Sequence, residues 1–307
     1  MIDFDIFTTD DARRFLNRIL GTDDSALDEM LSRGRFDCRK VYSLVRRQVD
    51  GWTLADRLML HLRHLTSSSD NCESIRDVGL LGVRDVLSRD NELSSLFKQC
   101  GLIYDSETAK VTYRGATYAI SDYKNVEHRP DRLGSIGCLL HVLATDSCVN
   151  SFIYSPCLKR YSVIAHYPEK VDRLEASIGA DSHIDAWKSR LVPYVVEFTV
   201  SLDQLDASNL IPEEGDDHLF SPCEGHHCLT FNVLLYRAIQ VVLGCCEEVY
   251  AFLPQGRLVN PDSIISILPL SEFCASKGSC DRGISGNLAR NEGGTRCLLR
   301  HSLCGVK

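Results

Sequence analysis

The chain has 307 residues, 44% of them hydrophobic and 25% charged, enough to bury a sizeable core without disulfide or metal staples. Its formal net charge is −8 and its pI about 5.7, which excludes a global positive field that would draw in nucleic acid and leaves only a local basic face for that purpose. No run approaches the roughly eighteen apolar residues of a membrane-spanning helix, and the acidic opening MIDFDIFTTDD lacks the apolar core of a signal peptide. The expected setting is therefore cytoplasmic, and the 14 cysteines are expected to be reduced thiols rather than a disulfide framework.

Residues 1–50 read as helical. Asp10-Asp11 can cap a helix over 12–20 that stops at Gly21, and Asp23-Asp24 one over 26–31 that stops near Gly34. A third spans 38–49 and stops at Gly51. On it Arg39 and Arg46, and Lys40 and Arg47, are seven apart, so with Arg35 they form a basic stripe or a solvated face. The pattern then alternates. A strand from Leu58 is followed by a helix at 92–100, a small meander over 102–120, and a helix opened by Pro130. Strands at 149–154 and 161–165, helices after Pro168 and over 181–191, and a long strand at 192–202 come next. Residues 203–228 are a polar loop, 230–243 a buried helix or strand, and 247–253 and 263–268 late strands. Strands joined by short turns pair antiparallel, so the class is α+β. The expected units are a helical region at 1–53, an α+β domain at 54–273 and a Cys- and Gly-rich tail at 274–307.

The chemistry concentrates at 58–81. Leu58, Leu60, Leu62, His64 and Thr66 alternate and so share one strand face. An imidazole and a hydroxyl two residues apart can hold a polar ligand; without one they need internal partners. Arg63 points to the other face. A polar bend, Ile75 and then Gly79-Leu80-Leu81 follow. This segment resembles the first motif of the ADP-ribosyltransferase superfamily: a His and a hydroxyl at the end of the first core strand, then a helix ending in a Gly-hydrophobic pair. The segment Glu247-Glu248-Val249-Tyr250-Ala251-Phe252 is similar to the late strand that carries the family's catalytic acid.

The resemblance implies split antiparallel sheets with flanking helices, and NAD as co-substrate held by His64 and Thr66. It implies a glycosyltransferase-class enzyme with Glu248 as the catalytic acid. Such an acid suits the reaction, because a carboxylate stabilises the oxocarbenium-like centre formed as nicotinamide leaves. The family's middle motif braces nicotinamide with a Tyr or a Ser-Thr-Ser element; Tyr113, Tyr118 and Ser121 in the meander and Asn150 and Tyr154 on the 149–154 strand are the candidates. Cys246 stands where the arginine-modifying branch has a second acid. That favours a nucleic-acid acceptor, RNA or DNA, over protein, and the resemblance further implies a toxin or phage-defence effector with an antitoxin protein as partner. The same fold also supports RNA 2′-phosphotransferases, but the basic residues those use to hold RNA phosphate have no match around His64.

Two Cys/His clusters open a separate reading, a non-catalytic zinc-binding interaction protein. Cys223, His226, His227 and Cys228 lie too close together to surround one tetrahedral ion easily. Cys274, Cys280, Cys297, His301 and Cys304 depart from the short pairs of zinc ribbons, so no metal ligand is assigned.

Overall fold

The computed structural model describes residues 1–125, 130–145, 148–161, 169–178, 182–206, 210 and 226–277. Strand β1 (Ile2–Phe4) leads into helices α1 (Thr9–Leu20), α2 (Asp24–Arg33), α3 (Cys38–Arg46) and α4 (Gly51–Ala55). Next come β2 (Leu58–Ser68), α5 (Glu73–Val78), α6 (Val83–Leu87) and α7 (Glu92–Gln99), then the meander β3 (Leu102–Asp105), β4 (Lys110–Tyr113) and β5 (Ala116–Ala119). The rest of the chain supplies α8 (Pro130–Thr145), β6 (Val149–Tyr154), α9 (Glu169–Ile178), α10 (Ser182–Lys188) and β7 (Val192–Ser201). It ends with α11 (His226–Val242), β8 (Val249–Leu253), β9 (Ile264–Pro269) and α12 (Leu270–Lys277).

The fold is α+β. The main sheet has the order β8-β6-β2-β7-β9, antiparallel throughout. β1 adds to β2 in parallel, Ile2 opposite Leu58 and Phe4 opposite Leu60. It shares that edge of β2 with β6, which pairs farther along at Arg63 and Phe152. The other edge of β2 is covered by β7, from Met59 opposite Ser201 to Ser68 opposite Val192. β3, β4 and β5 form a separate antiparallel meander.

Alternation along β2 sorts the layers. Leu58, Leu60 and Leu62 share a core with Phe15 and Leu16 of α1, Val41 and Tyr42 of α3 and Phe231 and Leu234 of α11. The N-terminal helices are thus built onto the sheet and share its core. The opposite face holds Leu65, Phe152 and Val195 with Phe7 and, from α12, Leu270 and Phe273. A second body of core joins α7, the meander, α8, α9 and α10.

Local chemistry explains the boundaries and several departures from the sequence reading. Thr8, not Asp10 or Asp11, caps α1, its hydroxyl accepting the Asp11 N–H at 3.1 Å. Residues 2–4 are a strand, because Ile2 and Phe4 alternate with Asp3 and reach the edge of β2. The third helix ends at Arg46, and Gly51 begins α4 instead of ending α3. Tyr161 closes a 3-10 turn, Leu158–Tyr161, where a strand was expected; 162–168 lie outside the described residues. So do most of the 203–228 loop and residues 278–307 of the tail, whereas Cys274 is buried in α12. Among the described residues no helix is long and apolar enough to cross a membrane.

Candidate active site

The apolar half of β2 is sealed under helices, and its polar half emerges from that cover. His64 and Thr66 are half-buried on the same face as Leu62. The Asn150 carbonyl lies 2.6 Å from His64 Nδ1. A carbonyl only accepts, so Nδ1 carries the hydrogen in this bond.

Beside His64 lies a residue that the sequence reading passed over. Val149 and Ile153 of β6 point into the main core, and Ser151 between them shares their face. The Arg63–Phe152 pairing sets Ser151 next to His64 across the strands. Ser151 is 1% exposed, and its Oγ has no hydrogen-bond partner among the described residues. Burying an unpaired hydroxyl costs about 1–3 kcal/mol. An acceptor or donor supplied by a ligand would recover that cost. Period-2 alternation was the signal that could have found Ser151.

Asn150 and Tyr154, named on the same strand, are placed differently. Asn150 meets His64 through its backbone carbonyl, and its side chain accepts from the Cys148 thiol at 2.9 Å. Tyr154 follows a β-bulge and packs on the main core. Tyr113 is buried in the second core, in a different cluster from the residues around His64, with the Arg114 guanidinium 5.1 Å from its ring centroid.

The bend after Thr66 is tightly built. The Ser68 hydroxyl accepts the N–H groups of Asp70 and Cys72, and Asp70 accepts that of Ser74. Asn71 and Cys72 both take left-handed backbone angles, φ 56° and 61°. Tyr194, opposite Thr66 on β7, donates its hydroxyl to Asn71 at 3.0 Å. The helix then ends at Gly79, φ 81°, where a Cβ would sit 1.8 Å from the Val259 carbonyl. Leu80 and Val259 exchange backbone hydrogen bonds at 3.1 and 3.0 Å. The Gly-hydrophobic pair therefore fastens the first motif to the loop between β8 and β9.

Glu248 stands at the entrance to β8, and its carboxylate is surrounded by hydroxyls. Ser155 Oγ donates to it at 3.1 Å, Tyr250 at 3.0 Å, and Tyr161 through a short bond; Tyr161 and Tyr250 also bond each other. Burial, together with the bonds to Glu248 and Tyr250, pushes the Tyr161 phenol far up, so it remains a donor. The direction of this cluster matters. Val249, Ala251 and Leu253 must face the main core, so Glu248 and Tyr250, out of phase with them, face Phe152 on the other side. The structure thus places Glu248 on the face opposite His64, Thr66 and Ser151 and does not bring the two halves together.

That opposite face is also where Arg63 lies. Its guanidinium is fully buried, bonded to both Asp5 oxygens at 2.7 Å and to Glu197 at 3.0 Å. It is committed to these carboxylates. Basic residues gather elsewhere: Arg33 of α2 and Arg39, Lys40 and Arg47 on and after α3 line an open groove of about 330 Å³.

No group of three His, Cys, Asp or Glu residues suited to a metal occurs among the described residues. Cys228 is buried with Asn232 against it, and His227 faces Asp56 at 3.3 Å. Cys223, the His226 side chain, Cys280, Cys297, His301 and Cys304 lie outside the described residues. No family model, curated protein or solved structure matches the chain.

Proposed function

We propose that this chain is an NAD-consuming ADP-ribosyltransferase of the superfamily that its motifs resemble, acting on a nucleic-acid acceptor. One observation carries the reading: β6 lies directly between β2 and β8, so the strand of the first motif and the strand of the late one flank a single strand in one antiparallel sheet. The docking of Gly79-Leu80 on Val259 supports it further, since it ties the first motif to the chain that follows the late one.

On this reading NAD lies against the His64 face. The His64 ring and the Thr66 and Ser151 hydroxyls bond the ribose or carboxamide. Cleavage breaks the bond between ribose C1′ and the nicotinamide nitrogen, and nicotinamide leaves with the electron pair. The acceptor oxygen or nitrogen attacks C1′ and gives up its proton to water. The resemblance makes Glu248 the acid; because it stands on the opposite face, its part requires release from Ser155, Tyr161 and Tyr250 and a turn of the segment before β8 toward the His64 face. The basic groove at Arg33, Arg39, Lys40 and Arg47 supplies phosphate contacts for the acceptor.

The placement of Glu248 favours a second reading, a non-catalytic polyanion-binding protein on the same fold. Incubation of the full chain with NAD labelled in the adenylate moiety, with RNA, DNA and protein fractions as acceptors, separates the two. The first reading expects nicotinamide release and a nuclease-sensitive label, with at least a hundredfold loss in both His64→Ala and Glu248→Gln. Nicotinamide release that survives Glu248→Gln but not His64→Ala moves the acid to another residue. No release with any acceptor, beside retained nucleic-acid binding, leaves the second reading.

A further inference from the structure

Two thiols that the proposed reaction does not use meet across 207 residues of sequence. Cys38, the first residue of α3, and Cys245, just beyond the end of α11, hold their Sγ atoms 3.0 Å apart. That is only about 1 Å beyond the ~2.05 Å length of a disulfide.

The approach is set by rigid elements. α3 and α11 pack together, with Tyr42 and Tyr236 edge to face at 5.6 Å and 82°. Gly244, φ 70°, turns the chain at the end of α11, and the Cys245 N–H donates to the Gln240 carbonyl at 2.9 Å. Its sulfur is 3.6 Å from the same carbonyl. Asp37 caps α3 from the other side, accepting the Lys40 N–H at 3.0 Å. Neighbouring Cys246 turns away and donates to the Glu247 carbonyl at 3.1 Å. Cys245 is exposed and Cys38 half-buried, so one sulfur meets solvent and the other waits behind it.

We infer that Cys38 and Cys245 form a two-cysteine redox site that a low-molecular-weight disulfide such as oxidised glutathione closes. Cys245, as thiolate, attacks the external disulfide, forms a mixed disulfide and expels one thiolate. Cys38 then gives up its proton and attacks the Cys245 sulfur, expelling the second. Two electrons pass from the protein pair to the oxidant, and the two thiol protons end on the two released thiols. The order of attack follows from access. Burial and the Cys245 contact push the Cys38 thiol up to about 12, so it acts second.

The bond would staple α3 to the 244–248 segment, which leads directly into Glu248. Reversible disulfides of this kind in reducing compartments are redox-sensing rather than structural. The inference stands on the sulfur geometry and does not depend on the proposed activity.

The test is to treat the full-length reduced protein with oxidised glutathione, alkylate remaining thiols, digest with trypsin without reduction and identify linked peptides. The expected product joins residues 36–39 to residues 238–257; it persists in Cys246→Ser and is absent from Cys38→Ser. The oxidised wild-type chain should also melt roughly 5–10 °C above the reduced one, because the link closes a loop of some two hundred residues. A link that runs through Cys246, or a Cys38 that stays open to alkylation after oxidation, overturns the inference.

Discussion

His64 and Ser151 sit side by side on one face, yet their polar atoms are treated differently. His64 Nδ1 has a carbonyl at 2.6 Å, while Ser151 Oγ is buried without a partner among the described residues. Removing an unsatisfied buried hydroxyl removes a cost, so Ser151→Ala should leave stability unchanged or raise it by up to about 1 kcal/mol. The urea midpoint measures this, and a loss larger than 1 kcal/mol would mean that the hydroxyl is already satisfied. Under the proposed function the same variant should bind NAD about tenfold more weakly by calorimetry, the worth of one hydrogen bond. Gain in stability with loss of binding is the pattern expected of a site residue, because the fold bears the cost that the ligand relieves. Tyr161 offers an independent check on the Glu248 cluster. Its phenol is pushed up, so the hydrogen-bonded neutral form is the one the fold stabilises. Tyr161→Phe should therefore remove no amplitude from the ultraviolet titration near pH 10, where ordinary tyrosines ionise. A clear drop in that amplitude would place Tyr161 in solvent.

At the scale of elements, the turn at Gly79 joins two distant parts of the chain. Its φ of 81° is strained for any other residue, and a Cβ there would strike the Val259 carbonyl at 1.8 Å. Backbone cannot yield as a side-chain tip does, so Gly79→Ala should cost at least about 3 kcal/mol. Gly256, φ 77° with open space around it, is the control: Gly256→Ala carries only the conformational penalty, about 1 kcal/mol. Equal losses in the two would mean that the Leu80–Val259 bridge carries little of the fold. The sequence announced this turn, since a glycine before two leucines after a short helix reads as a stop. It also announced most strands, because period-2 patterns such as Leu58 to Thr66 are local. The alternation that sent Arg63 to the far face of β2 is borne out by its pairing with Asp5 and Glu197. The same rule applied to β8 would have turned Glu248 away from His64, and applied to β6 it would have selected Ser151. What no local pattern contained was long-range: the parallel pairing of β1, the bulge before Tyr154, and the meeting of Cys38 with Cys245. Each depends on which segments become neighbours, and one-dimensional periodicity does not encode that.

At the scale of the whole molecule, one ionic seam around buried Arg63 ties the segment after β1 to β9 and α12. Asp5 follows β1, Arg63 lies on β2, Glu197 on β7, and Ser266 of β9 donates to Glu197 at 2.7 Å; Lys277 of α12 adds a contact at 3.6 Å. Burial by itself would raise the Asp5 carboxyl, but the bonds and charge of Arg63 outweigh it and hold it below the usual range. Glu197 is likewise held down, burial being outweighed by Ser266, Arg63 and Lys277. For carboxyls lowered in the folded state, the stabilisation is complete above their ordinary values near pH 4 and is lost as pH falls through the lowered ones. Acid should therefore unfold the chain in that window, and the main sheet should be involved because the seam crosses it. Arg63→Met inverts the argument. It leaves half-buried Asp5 without its cation and Glu197 with Ser266 and Lys277, and should cost about 3 kcal/mol at pH 7. With the cation gone, burial dominates at Asp5 and lifts its carboxyl, while Glu197 keeps Ser266 and Lys277, so the variant gains relative stability as Asp5 protonates. The gap between wild type and Arg63→Met, followed by urea midpoints from pH 7 to pH 4, should narrow steadily. A gap that stays constant over that range would show that Asp5 is solvated in the folded protein and that the pairing of β1 with β2 and hydrophobic packing join the N-terminal segment to the sheet without it.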